Sequence, residues 1–261
     1  MFAYLNDREP LLEVPLPAAP LLRALVQVQY PPVQALFNPG LAQDLIAKVQ
    51  AALTEEYPLF EVEREVQLAV PAPDLGPPTL RLRTVDGVWE AAFHPLFVAL
   101  STSVYTSRAD LLGRLAAALD VAHNVLGVRA YQRLGVRYVN QVTPDFGDVT
   151  TLLQPDVAGS FAPVSAHFVV EADIRDLLLD VEGDKLHVRY GHVPAGDAVL
   201  LGVDPCPSPS WVLDLDAYTQ TPTPFVTADI LGETERLAEK CYRVFRGTVT
   251  DQFLERAGGR P

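Results

Sequence analysis

Three glutamates, Glu61, Glu63 and Glu65, alternate along one short stretch of the chain. At the two-residue period of a strand they share a face. Carboxylates placed this way can hold a divalent metal, and cations facing them across a concavity would hold phosphates. Arg81, Arg83, Arg133, Arg137 and Arg189 are the candidate cations. That combination would make a metal-dependent phosphohydrolase-like enzyme. The plainer reading is a solvated acidic edge strand, in which charge discourages sheet-to-sheet aggregation.

A second pattern sets arginines against aspartates. In 130–142, alternation puts Leu134, Val136, Tyr138, Asn140 and Val142 on one face. Arg133, Gly135, Arg137 and Gln141 fall on the other. In 210–218, Trp211, Leu213, Leu215 and Ala217 oppose Asp214, Asp216 and Tyr218. Arg81 and Arg83 share a face of 79–85; Lys185, His187, Arg189 and Gly191 share one of 185–193. If the apolar sets turn toward helices, Arg81, Arg83, Arg133, Arg137, Gln141, Arg189, Asp214 and Asp216 line an open sheet face. These eight are the expected ligand-binding residues. The same pattern also reads as cross-strand ion pairing, worth roughly 0.2–1 kcal/mol per pair.

Other chemistry finds no support. The five histidines, His94, His123, His167, His187 and His192, show neither HxxxH nor HExxH spacing. Cys206 and Cys241 lie far apart and fit no metal spacing, so both are expected as free thiols. Gly-x-Ser-x-Gly elbows and glycine-rich phosphate loops are missing. No catalytic residue, metal ligand or cofactor is therefore expected.

The elements that must position these residues follow from periodicity. Residues 1–20, punctuated by Pro10, Pro15, Pro17 and Pro20, read as an extended arm on the surface or along a groove. LRALVQVQY (22–30) alternates as a strand. Asn38-Pro39-Gly40 opens a helix to about Tyr57, with Leu41, Leu45, Val49, Ala52 and Leu53 as its apolar stripe. A strand over 60–70 and a proline-rich loop to Pro78 follow. A hairpin, 79–85 and 88–93, turns at Asp86-Gly87, and 96–104 is a further strand. Ser107 caps a helix to about Leu126, with Leu112, Leu115, Leu119, Ala122 and Leu126 inside and Gly127 at its end. The succession then recurs: strand 130–142, a short helical segment 147–154, strands 165–174, 177–181, 185–193 and 210–218, and a last helix over about 231–256.

Both halves thus read strand, helix, three or four strands, helix. The fold class expected is α+β: a largely antiparallel, curved sheet with helices on one face. The organisation expected is an arm (1–20), a first half (21–128) and a second half (129–261), packed as one unit. At fold level this resembles the duplicated saddle of the TATA-binding-protein architecture, which carries no function with it. GVRYVNQV (135–142), LFVALSTSVY (96–105), LDLDAY (213–218) and the closing RVFRGTVTDQF (243–253) resemble a sporadically distributed, uncharacterised bacterial family of about this length. Its strongest motif is an Arg-Tyr-x-Asn strand, matched by Arg137, Tyr138 and Asn140. The resemblance implies one full-length unit and no particular activity. The glutamate strand is also similar to the Glu-x-Glu-x-Lys opening of triphosphate-tunnel enzymes, but Glu65 stands in the lysine place.

Composition bounds the partners. Of 261 residues, 49% are hydrophobic, ample for a core. Twenty basic residues against 33 acidic ones leave a net charge of −13, which repels phosphate backbones and anionic lipid. A nucleic-acid-binding saddle is therefore disfavoured. MFAYLNDREPLLEV carries charges where a secretory signal has its apolar core, and no apolar run is long enough to span a bilayer. Cytoplasmic location follows. The arginine-rich, lysine-poor composition points to a GC-rich bacterial source. The function expected is non-catalytic: a binding or scaffolding protein that holds a protein, peptide or small ligand on the open sheet face or in a groove between the halves. A protein partner or a homodimer is the expected assembly.

Overall fold

In the computed structural model, residues 1–6, 11–67, 74–158, 171–196 and 205–259 are described. Strand β1 (Leu21–Gln29) is followed by helix α1 (Pro39–Leu53) and strands β2 (Leu59–Gln67), β3 (Asp74–Arg83), β4 (Trp89–His94) and β5 (Phe97–Thr102). Helix α2 (Arg108–Asn124) closes this part. A two-residue strand β6 (Ala130–Tyr131), strand β7 (Arg133–Val142) and two short helices, α3 (Val149–Leu152) and α4 (Pro155–Ala158), come next. Strands β8 (Asp173–Val181), β9 (Asp184–Val193) and β10 (Ser210–Thr219), the short β11 (Thr223–Pro224) and helices α5 (Thr227–Thr248) and α6 (Asp251–Arg256) complete the fold.

The large strands form one sheet in the order β2-β3-β4-β5-β1-β7-β10-β9-β8, and each pairing is antiparallel. The seam of the two halves is β1 against β7. On each side of it the first strand is central and the later strands run outward to the edge in reverse chain order. The sides differ in dimensions: α1 has 15 residues, whereas α3 and α4 have four each.

Alternation decides which face is covered. Ala24, Val26 and Val28 of β1, Leu134 and Val136 of β7, and Leu213, Leu215 and Ala217 of β10 are buried. Apart from Ala24 they share one apolar cluster with Leu111, Leu115 and Leu119 of α2 and Leu237, Cys241 and Val244 of α5. The cluster spans both halves. Each fully buried leucine contributes about 1.5–3 kcal/mol. On the opposite, outer face, among the described residues, a small apolar group forms from Val139, Val193 and Val212 with Ile174 against them. No helix among the described residues is long and apolar enough to cross a membrane.

Several expected boundaries move, for identifiable reasons. The arm is not extended throughout: Ala3–Asn6 form a 3₁₀ turn, and Met1, Phe2 and Leu5 pack on the core. In α1 the buried positions are Ala42, Val49 and Leu53, while Leu41 is 58% exposed at the first turn. In α2 the buried position is Leu111 rather than Leu112. Gly76, Pro77 and Pro78 lie inside β3, not in a loop. Strand β4 pairs only with Leu80–Arg83, so the prolines sit where one side of β3 needs no donor, opposite a register shift between Arg64 and Val66. Strand β8 is continuous from Asp173 to Val181. The last helix breaks at Val249, because Thr250 donates its N–H to the Leu152 carbonyl and its hydroxyl caps α6. Residues 68–73, 165–170 and 197–204 of the expected strands and loops, and His167, lie outside the described residues.

Gly191 joins β9 to the edge strand. Its φ is +145°, and a Cβ there would meet the Asp173 carbonyl oxygen at 1.8 Å. Gly191→Ala is therefore expected to push β8 off the sheet. Since β8 is an edge and can move outward, the loss is about 2 kcal/mol. Urea denaturation measures it, and amide exchange over 173–181 should rise while β1 and β7 stay protected.

Candidate functional site

The β1–β7 seam carries a cavity on the helix side of the sheet. Its floor is Tyr138 and Asn140 of β7 with Leu215 of β10. One wall is α5, through Ala238, Cys241, Tyr242 and Phe245. The other is the link from β5 to α2, residues 103–108. The arm, residues 13–19, is the roof. The volume is about 360 Å³, at the lower end for small-molecule sites.

Each wall has a local reason for its place. In the arm, Val14 and Leu16 turn inward while Leu12, Glu13, Pro15 and Pro17 are exposed. Prolines keep this stretch extended and remove donors that a helix would require. The arm is tied to α5 by the Tyr242 hydroxyl, which accepts from the Val14 N–H (2.8 Å) and donates to the Leu12 carbonyl (3.2 Å). Farther on, the Ala18 N–H donates to the Ala257 carbonyl at 3.0 Å. On the opposite wall, Ser107 caps α2 by accepting from the Asp110 N–H, which stops the chain and aims Tyr105 and Arg108 at the arm.

The charged groups of the lining face one another, although Arg108 Nε is buried without a hydrogen bond among the described residues. The Tyr105 hydroxyl donates to Glu13 Oε1 at 3.0 Å. Both terminal nitrogens of Arg108 donate to Glu239 Oε2 at 3.2 Å, and Arg108 Nε lies 3.9 Å from Glu13 Oε2. Deeper in, the lining is uncharged. The Tyr105 and Tyr138 rings meet edge to face at 5.6 Å. Burial pushes both phenols up, so they stay protonated at neutral pH. Burial also pushes up the Cys241 thiol, which donates to the Val136 carbonyl (Sγ to oxygen, 3.8 Å). A thiol so placed is a poor nucleophile.

Asn140 is the exception on this floor. It is only 6% exposed, lines the cavity, and its side-chain amide makes no hydrogen bond among the described residues. Such a group in a cavity is a feature to be matched by something that enters it.

The eight residues expected on the open face are placed on the outer face, away from this cavity, and divide between two wings. Arg133, Arg137, Gln141, Arg189, Asp214 and Asp216 come together on β7, β10 and β9. Arg137 grips Asp214 with Nε and Nη2, at 2.7 and 2.8 Å. Arg189 Nη2 donates to the same carboxylate at 2.5 Å, and Arg133 Nη2 donates to Asp216 at 3.0 Å. The Arg133 guanidinium also lies over the Tyr218 ring, 4.3 Å from its centre. Gln141 donates to Ser210 Oγ at 3.0 Å. Arg81 and Arg83 are on β3, beyond β4, β5 and β1, about 19 Å from β7 at the spacing of adjacent strands. They pair with Glu63, Glu61 and Glu90 at 2.5–3.0 Å.

Charge therefore alternates by strand, with acidic β2 beside basic β3 and acidic β4, and basic β7 beside acidic β10 and basic β9. Each carboxylate meets a guanidinium one strand away, so the pattern fixes register. Glu61 and Glu63 do not face Arg133 and Arg137 across a concavity, as the enzyme reading requires; the Glu65 side chain lies outside the described residues. Among the described residues no group of three His, Cys, Asp or Glu side chains is arranged to hold a metal ion.

Sequence reasoning passed over Asn140 although the signal was present. It is the one amide on the otherwise apolar and aromatic face of β7, the face that turns to the helices. The Arg-Tyr-x-Asn segment divides at the strand period: Arg137 points outward, while Tyr138 and Asn140 line the cavity. Glu13, Tyr105 and Arg108 carried no comparable signal. No protein-family model matches the chain, and no curated protein is significantly similar to it.

Proposed function

We propose that this chain is a non-catalytic binding protein of the cytoplasm, and that it holds a small molecule in the cavity between its halves, beneath the arm. The observation that carries this reading is Asn140, whose amide makes no hydrogen bond among the described residues and lines the floor of a largely apolar chamber of about 360 Å³. Apolar walls with few polar groups are what small-molecule sites have in common. Among the described residues the chamber has no activated nucleophile, and its one guanidinium already faces two carboxylates, which speaks for binding over catalysis. Of the two places expected to take a ligand, the outer face has its charges paired within the sheet and the inter-half groove has the space. On the same reading, Tyr138 and Asn140 are the ligand-facing members of the Arg-Tyr-x-Asn motif that the chain shares with the uncharacterised bacterial family it resembles.

Two variants separate the two places. Ala19→Trp fills the cavity from its roof, and Arg137→Ala breaks the outer face. Protein purified natively from its host is denatured, and the released small molecules are identified by mass spectrometry. A stoichiometric compound is expected from the wild type and from Arg137→Ala, and at least tenfold less from Ala19→Trp. A compound retained by Ala19→Trp, or a protein partner lost only from Arg137→Ala, would move the site to the outer face.

A further inference from the structure

The chemistry of the cavity also restricts what enters it; this step rests on the cavity being the ligand site. We infer that the ligand is an uncharged, largely apolar molecule bearing an amide-like edge, with a hydrogen-bond donor beside an acceptor, as in a carboxamide, lactam or imide.

Three observations lead there. The first is Asn140 itself. A side-chain amide presents a carbonyl acceptor and an NH₂ donor in one plane, and among the described residues neither has a partner. The group that satisfies both at once offers a donor and an acceptor side by side in the same plane. A carboxylate would leave the Asn140 carbonyl without a donor, and an ammonium would leave its NH₂ without an acceptor.

The second is the charge of the walls. Arg108 is the cation of the lining, and it is held by Glu239 and approached by Glu13. Arg108 Nε makes no hydrogen bond among the described residues, but with two carboxylates around one guanidinium the net charge there is negative, which repels an anion. The remaining polar groups near the floor, the hydroxyls of Tyr105 and Tyr138, are kept neutral by burial.

The third is the shape of the lining. Tyr105, Tyr138, Tyr242 and Phe245 surround the space with ring surfaces, and Leu215 and Ala238 close it. Such walls suit a flat apolar body, and they leave orientation to the one amide.

The test uses three probes of matched size, 2-naphthamide, 2-naphthoate and 2-ethylnaphthalene, titrated into the full-length protein and followed by NMR and calorimetry. Wild type is expected to bind the amide at least tenfold more tightly than the carboxylate. Asn140→Leu is expected to weaken the amide roughly ten- to hundredfold while holding 2-ethylnaphthalene as well as before or better. It is also expected to raise the melting temperature of the free protein, because it puts an apolar side chain of nearly the same volume among the apolar and aromatic side chains of the lining. Asn140→Ser carries the same binding test should the leucine variant not fold. Ala19→Trp is expected to abolish binding of every probe that binds.

Equal or tighter binding of 2-naphthoate, an unchanged affinity of Asn140→Leu for the amide, or a lowered melting temperature in that variant would overturn the inference. In each of those cases loss of binding in Ala19→Trp would leave the cavity as the site. If none of the probes binds, or if Ala19→Trp binds as the wild type does, the cavity reading fails and the inference falls with it.

Discussion

Replacing Asp214 by alanine is expected to cost about 3 kcal/mol and to lower the melting temperature by roughly 6–12 °C. Asp214 is 2% exposed and receives both Arg137 and Arg189. Removing it takes from two partly buried guanidinium groups the carboxylate they share between β7 and β9, and breaking a buried pair from one side costs more than the pair itself contributes. The water that still reaches both arginines keeps the loss at the low end of the range for buried pairs. Asp216, one pleat along, provides the contrast. Burial raises its carboxyl above the ordinary value, and the nearby Arg133 and Arg137 only partly offset this. A carboxyl whose folded pKa is raised weakens the fold when ionised, and this weakening is relieved as pH falls through that pKa. Asp216→Asn is therefore expected to cost less than about 1 kcal/mol at neutral pH.

Thermal denaturation of the two variants decides what the outer face is for. A large loss for Asp214→Ala with ligand still bound makes the charged ladder a register device. Unchanged stability with binding lost would make it the site after all.

Asp184→Ala is expected to be costlier still, about 4 kcal/mol. Asp184 opens β9 and accepts from Lys240 Nζ at 2.6 Å and from Arg236. Lys240 is only 7% exposed and also donates to the Val181 carbonyl at 2.8 Å. Without Asp184 its ammonium is left in the protein with a carbonyl and with Glu182 at 3.8 Å. Burial works to raise the Asp184 carboxyl, but hydrogen bonds from Arg236 and Lys240 outweigh it and hold the carboxyl below its ordinary value. The stability Asp184 supplies is thus fully present above about pH 3.9 and is lost as pH falls through the lower folded pKa. The gap between variant and wild type in urea denaturation should be constant near neutrality and should close in acid.

Lys240→Met removes the buried charge and leaves Asp184 to Arg236, so it is expected to cost under about 1.5 kcal/mol. A loss for Lys240→Met as large as that for Asp184→Ala would show that packing, not the unpaired charge, dominates. The pair matters for the cavity because Lys240 and the wall residues Ala238, Cys241 and Tyr242 sit on the same two turns of α5. The ion pair anchors that segment to the β8–β9 hairpin while its other side forms the wall.

Much of the fold was legible because alternation and capping are local. The polar and apolar faces of β7, β9 and β10 follow from a period of two, and each residue falls on the face its position requires. Ser107 and Gly127 mark the start and end of α2 through groups within a few residues of the backbone they serve. The misplacements arose where distant chain intervened. Leu41 fits the apolar stripe of α1 by spacing, but in the first turn it is Ala42 that is buried while Leu41 stays exposed. The continuous helix expected to residue 256 is interrupted because Leu152 and Leu153 meet the chain at Val249 and Thr250.

The candidate site divides along the same line. The alternating charges of Arg133, Arg137, Asp214 and Asp216 were read directly, but their mutual pairing depends on β7 lying beside β10, more than 70 residues later in the chain. Asn140 could be assigned to the helix-facing side, yet an amide on an apolar face gives no sign of whether a partner waits for it.

What the sequence by itself determined was the class of fold, the acidic charge and the side of each strand on which a residue falls, since these depend on composition and on steps of two or four residues. What only the tertiary structure decided was where space remains. Val14, Tyr105, Asn140 and Tyr242 are scattered along the chain and meet around one volume. A cavity is the residue of how several elements fail to fill the space between them, and no local rule of spacing contains it.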